Sequence, residues 1–195
     1  MSQPLTNLVQ QVAALLRATG QRVVFAESCT GGLVSAAVAR VSGISEFLCG
    51  SAVVYRLDTK TRWLDVPAAL LLDPGPVSEI VARAMARGVL NHTPEADLAV
   101  SITGHLGPNA PADQDGLIFI GVMRRNSQWT QAEQIEVLEE RLTTAAAELS
   151  RFPGESVREQ RQWLAVERVL THVKRALDPS PDCTITRSES VPGEQ

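Results

Sequence analysis

At 195 residues with 44% hydrophobic content, the chain is long enough to bury a substantial core, and it reads as one domain over 1–177 followed by a tail. A net charge of −4 without a basic run argues against a nucleic-acid partner, and no apolar run approaches the roughly 20 residues that span a bilayer. Cys29, Cys49 and Cys183 form neither a metal-type spacing nor an even disulfide set, and the N-terminus lacks a signal-peptide pattern, so a soluble cytoplasmic protein is expected.

In chain order, Leu8, Val9, Val12, Leu15 and Leu16 share one face of a helix predicted over 6–19, which ends at Gly20. An apolar run predicts a strand over 22–26. It feeds the turn Ser28-Cys29-Thr30-Gly31-Gly32 and a helix over 30–41. A second strand is expected over 49–55, then a short helix capped by Asp58 and carrying Lys60 and Leu64, and another short helical turn opened by Pro67. After the loop 73–76, Ser78 caps a helix with Ile80, Val81, Ala84 and Met85 inward. A third strand over 97–103 runs into Gly104-His105-Leu106-Gly107-Pro108, and 108–115 is a surface loop. Strands over 116–123 and 128–138 follow, then a short helix over 143–149. A long helix over 156–177 turns Val157, Leu164, Val169, Val173 and Leu177 inward. The tail 178–195 is rich in Ser, Pro and acids and is expected to be disordered.

Strands alternating with helices, some strands apolar on both sides, predict a layered α/β/α sandwich with a mostly parallel sheet. In such sheets ligands bind beyond the carboxyl ends of the strands. Three predicted strands end on polar residues: Ser28, Tyr55 with Lys60, and Thr103. The strand, glycine turn and helix around Ser28 aim backbone N–H groups at one spot, with the helix dipole behind them. That spot suits a phosphate or an oxyanion. On the residues alone, Ser28 reads either as a nucleophile or as a helix cap. Two of the 18 basic residues are lysines, Lys60 and Lys174. So arginine-biased a chain keeps a lysine either by chance or where a group must release its proton within reach of neutral pH, as arginine does not.

Ala26-Glu27-Ser28-Cys29-Thr30-Gly31-Gly32 resembles the signature of the CinA C-terminal domain, the nicotinamide mononucleotide deamidase family. Val53-Val54-Tyr55 with Lys60, then Gly75-Pro76-Val77-Ser78, and Thr103-Gly104 with Gly107-Pro108 resemble further family segments, so that the likeness covers about 5–125. The resemblance implies an amidohydrolase that turns nicotinamide mononucleotide into nicotinate mononucleotide and ammonia, without metal or cofactor, as a homodimer. It assigns the nucleophile to Ser28, the base to Lys60, and support of that lysine to Tyr55 and Thr103. Cys29, Thr30, Gly31, Gly32 and Gly104 become substrate-binding, with the Cys29 and Thr30 N–H groups on the oxyanion. The chain departs from the family pattern at His105-Leu106, at Asn109-Ala110-Pro111 and after Gly154, where an arginine is missing; Arg158 or Arg151 is the candidate replacement on a substrate phosphate. Two rivals stand beside this reading. One is a nucleotide-binding or competence-related module without chemistry; the other is a hydrolase using Cys29 with His105 as base.

Overall fold

The computed structural model describes residues 2–125, 135–143 and 145–178. Helix α1 (Gln3–Thr19) leads into β1 (Val23–Glu27), α2 (Leu33–Val38), β2 (Leu48–Val53), α3 (Leu57–Leu64), α4 (Ala68–Leu72) and α5 (Glu79–Asn91). Then come β3 (Leu98–Gly104), β4 (Leu117–Arg124), β5 (Ile135–Arg141), α6 (Ala146–Leu149) and α7 (Val157–Leu177). The five strands form one sheet in the order β2-β1-β3-β4-β5. β1 pairs in parallel with both β2 and β3, while β4 runs antiparallel to β3 and to β5. Four strands therefore point one way and β4 points against them.

Residue alternation along the strands feeds two apolar layers. Val23, Phe25, Leu98, Val100, Ile102, Ile118 and Ile120 pack toward α1, α2 and α7. Val24, Ala26, Ala99 and Met123 pack on the other side with Val81, Met85 and Val89 of α5. The helices therefore cover both faces of an α/β sheet, as the alternation of predicted elements requires.

Several local expectations are corrected. Helix α2 begins at Leu33 rather than 30, because Gly31 and Gly32 hold positive φ (62° and 99°) and continue the turn. β5 continues to Arg141, since its ladder with β4 runs on to the Leu117–Arg141 pair; the first part of the strand predicted over 128–138 lies outside the described residues. Arg56, not Asp58, occupies the N-cap of α3, and Asp58 sits in its first turn. Val157 and Ile80 were expected inward but are exposed: Val157 stands at the very start of α7, and Ile80 lies on the side of α5 away from Ala82, Met85 and Val89. The tail past Asp178, with Cys183, lies outside the described residues.

Candidate active site

The site begins with strand alternation. Val24 and Ala26 face the α5 side of the sheet, and one further step of alternation aims Ser28 the same way, toward α3. Lys60 stands in the middle of α3, and its Nζ donates to Ser28 Oγ at 2.9 Å and to the Val54 carbonyl at 2.6 Å. Lysine is almost never fully buried unless paired. Here Lys60 is 1% exposed, and its hydrogen-bonding partners are neutral oxygens. Burial lowers its pKa from 10.5 to about 8. The backbone holds the pair in register: Ser28 N–H donates to Ile102 of β3, and Val54 N–H donates to the Glu27 carbonyl.

The turn after Ser28 does collect N–H groups, but a side chain of the protein already fills the spot. Glu27 faces the α2 side and is fully buried. Its carboxylate accepts from Thr30 Oγ1, from the N–H groups of Gly32, Val34 and Ser35, and from Ser51 Oγ of β2. The expectation of an open anion site at the start of α2 is therefore corrected, because the helix end holds an internal carboxylate. Thr30 and Gly32 are committed to Glu27, and Gly31 N–H donates to the Ser28 carbonyl. Neither Ser28 nor Thr30 caps α2; its N-cap is Gly32. Among the described residues, no oxygen accepts from the Cys29 or Thr30 N–H group, and the Cys29 N–H lies against its own thiol.

Ser28 and Lys60 open onto a cavity of about 240 Å³ that Cys29, Tyr55, Thr103, Gly104, His105 and Arg158 also line. Thr103 was expected to orient the lysine, yet its hydroxyl donates to the Pro76 carbonyl at 2.8 Å and ties the 74–77 loop to β3. Tyr55 does not reach the lysine either: its exposed hydroxyl accepts from Arg158 Nη2 at 2.8 Å. Arg158 also donates to the Gly107 carbonyl, so its described partners are both neutral. Arg151 lies elsewhere, paired with Glu148 and Glu167 and stacked over Phe152. Gly104 is required by packing, since a Cβ there would come within 2.6 Å of Ile118 and 2.8 Å of the Leu117 carbonyl. Burial pushes the Cys29 thiol up to about 12, which removes the thiolate that a cysteine hydrolase would need.

The sequence model of the CinA C-terminal domain matches residues 5–151. The chain belongs to the CinA C-terminal domain family. A CinA-like protein of Geobacter metallireducens is 44% identical over 113 residues, which make up 57% of this chain and 27% of that one. A CinA-like protein of Mycobacterium sp. (strain JLS) is 50% identical over 98 residues, 50% of this chain and 23% of that one. The chain thus spans about a quarter of the length of the curated relatives it matches. Among solved structures, a CinA superfamily protein from Klebsiella pneumoniae superposes with a TM-score of 0.74 at 28% identity, covering 89% of this chain and 97% of the other. The competence/damage inducible protein CihA from Agrobacterium tumefaciens gives 0.71 at 28% identity, covering 89% and 94%.

Two residues of this CinA domain escaped the sequence reading. Arg161, 2% exposed, pairs with both oxygens of Asp115 at 2.8 and 2.9 Å and donates to the Thr143 and Leu106 carbonyls. Its hydrogen bonds hold the Asp115 carboxyl below the usual range. They also fix the 105–116 loop that forms one wall of the cavity. The available signal was an arginine on the apolar stripe of the last helix, one turn before Leu164. The other residue is Glu27, an acid closing an otherwise apolar strand.

Proposed function

We propose that this CinA domain is a serine amidohydrolase that deamidates nicotinamide mononucleotide to nicotinate mononucleotide. The observation that carries the proposal is the buried Lys60 amine, 2.9 Å from Ser28 Oγ and with its pKa lowered to about 8. At pH 7 about one tenth of such a lysine is neutral, against a negligible fraction of one with an ordinary pKa near 10.4. The Val54 carbonyl engages one N–H, and rotation about that bond can present the lone pair of the neutral amine to Ser28. Ser28 Oγ attacks the carboxamide carbon as its proton passes to Lys60 Nζ. Lys60 then hands the proton to the departing amine, ammonia leaves, and an acyl-Ser28 ester remains. Water attacks the ester with Lys60 again as base, which releases the carboxylate and restores the serine.

The Cys29 and Thr30 N–H groups are the donors for the developing oxyanion, because they follow the nucleophile and no oxygen of the described residues accepts from them. Arg158 takes the substrate phosphate: its guanidinium reaches the cavity and is bonded only to neutral oxygens among the described residues, with Tyr55 and Gly107 aiming it. The test is ammonia release from nicotinamide mononucleotide, nicotinamide and NAD. Release from the mononucleotide is expected. Binding of the mononucleotide without ammonia would leave a nucleotide-binding module instead.

A further inference from the structure

Glu27 has no part in the chemistry just described, yet it precedes the nucleophile directly and is fully buried without a basic partner among the described residues. A carboxylate removed from water in this way must be compensated by hydrogen bonds. Oε2 accepts from Thr30 Oγ1 at 2.8 Å and from Gly32 and Val34 N–H at 3.0 Å. Oε1 accepts from Ser35 N–H and Ser51 Oγ at 3.0 Å. These donors come from three places: the turn that follows the nucleophile, the first turn of α2, and the neighbouring strand β2. The main chain of the same residue is held as well, because its carbonyl accepts from Val54 N–H at 2.8 Å. Val54 in turn accepts from Lys60. Strand alternation sends the Glu27 side chain to one face of the sheet and Ser28 to the other, so any rotation at this junction moves Ser28 Oγ relative to the lysine.

We propose that Glu27 is a positioning residue for the hydrolysis, a built-in anion that occupies the start of α2 in place of a ligand. It holds the 28–32 turn so that Ser28 Oγ meets the Lys60 amine and the Cys29 and Thr30 N–H groups stay free. A consequence for specificity follows, since the substrate's own anion is excluded from that helix end and left to Arg158. The inference rests on Ser28 being the nucleophile, and its test separates the two claims.

The probe is diisopropyl fluorophosphate, applied to the full chain. Ser28 Oγ bonds to phosphorus, the P–F bond breaks, fluoride leaves and the proton passes to Lys60. Labelling of Ser28 is followed by mass spectrometry in the wild type and in Glu27→Gln. The amide keeps the shape and one acceptor oxygen but meets the Ser35 N–H with another donor. With the fold intact by circular dichroism, labelling in Glu27→Gln should slow at least tenfold, since a misplacement of about 1 Å can cost about a hundredfold. The affinity for nicotinamide mononucleotide should stay within about twofold, because Arg158 is untouched. Glu27→Ala should show the same loss, and added formate should recover part of the rate by refilling the vacated carboxylate position. Labelling of folded Glu27→Gln at the wild-type rate overturns the proposal. Failure of both variants to fold does so too, by making Glu27 a requirement of the fold alone. An unlabelled wild type refutes the nucleophile itself, and with it any positioning role.

Discussion

Replacing Lys60 with methionine tests the buried base through stability rather than rate. Holding an ammonium whose ordinary pKa is 10.5 in surroundings that lower it to about 8 costs the folded chain on the order of 3 kcal/mol at neutral pH. Below pH 8 both the folded and the unfolded chain carry the proton, and the whole cost is present. Between pH 8 and 10.5 the folded chain has released a proton that the unfolded chain keeps, so stability rises with pH. Above that window the contribution is gone. Methionine fills the same channel without charge, at a fixed penalty of about 1–3 kcal/mol for the Val54 carbonyl that loses its donor. That penalty does not depend on pH, so the informative quantity is the stability difference between the two proteins measured by urea unfolding at pH 7 and pH 10. Relative to Lys60→Met, the wild type should gain about 2–3 kcal/mol over that interval. A difference that stays constant across the interval would mean that the ammonium is comfortable in the fold. The lysine would then not be poised to accept a proton.

Ser28→Ala should keep the fold and ligand affinity while turnover falls by several orders of magnitude, as read by ammonia release. Lys60→Arg should be nearly as inactive as Lys60→Ala. The wild-type rate should rise with pH through an ionisation near 8, and that rise should vanish in the arginine variant, because a guanidinium supplies charge without accepting a proton. Arg158→Ala should raise the KM for nicotinamide mononucleotide about 10- to 100-fold with kcat little changed, the equivalent of about 1.5–3 kcal/mol for a charge-assisted hydrogen bond. Turnover of nicotinamide, which has no phosphate, should be indifferent to that change, and steady-state kinetics on both substrates checks it.

That Ser28 and Lys60 share one crevice was legible from local rules, while their pairing as nucleophile and base came from the family resemblance. Strand ends of an α/β sheet face one crevice, and a lysine retained among arginines stands out in composition. The layered fold was legible for the same reason, since its signal is periodicity. What fills the start of α2 was not. The donors that surround Glu27 are mostly backbone N–H groups, which every residue but proline possesses, so no side-chain pattern advertised them. Thr103 was assigned to the lysine by the family resemblance, but its hydroxyl is committed to the Pro76 carbonyl. Arg161 likewise depended on a long-range encounter with Asp115, 46 residues earlier. Ile80 illustrates a smaller limit: an apolar residue in a helix need not lie on the face that its packing partners bury.

The reach of α7 into the cavity divides the molecule's labour along the chain. Ser28 and Lys60, the proposed nucleophile and base, lie within residues 28–60, whereas Arg158 arrives from 103 residues beyond Tyr55, and Gln162 of the same helix donates to the Cys29 carbonyl at 3.2 Å. The helix is held in place by its seam with α1, where Val166, Val169 and Val173 share one apolar cluster with Leu5, Val9 and Leu16. In the proposed reaction, bond-breaking and phosphate recognition therefore rest on different supports. Loosening the seam with a truncation such as Val169→Ala, remote from the cavity, would tilt the arginine before it disturbed the serine. The first symptom would be a poorer grip on the substrate phosphate, with the bond-breaking step spared. By the same logic, the range of anions accepted can be retuned by how one helix docks, leaving the reactive pair as it is.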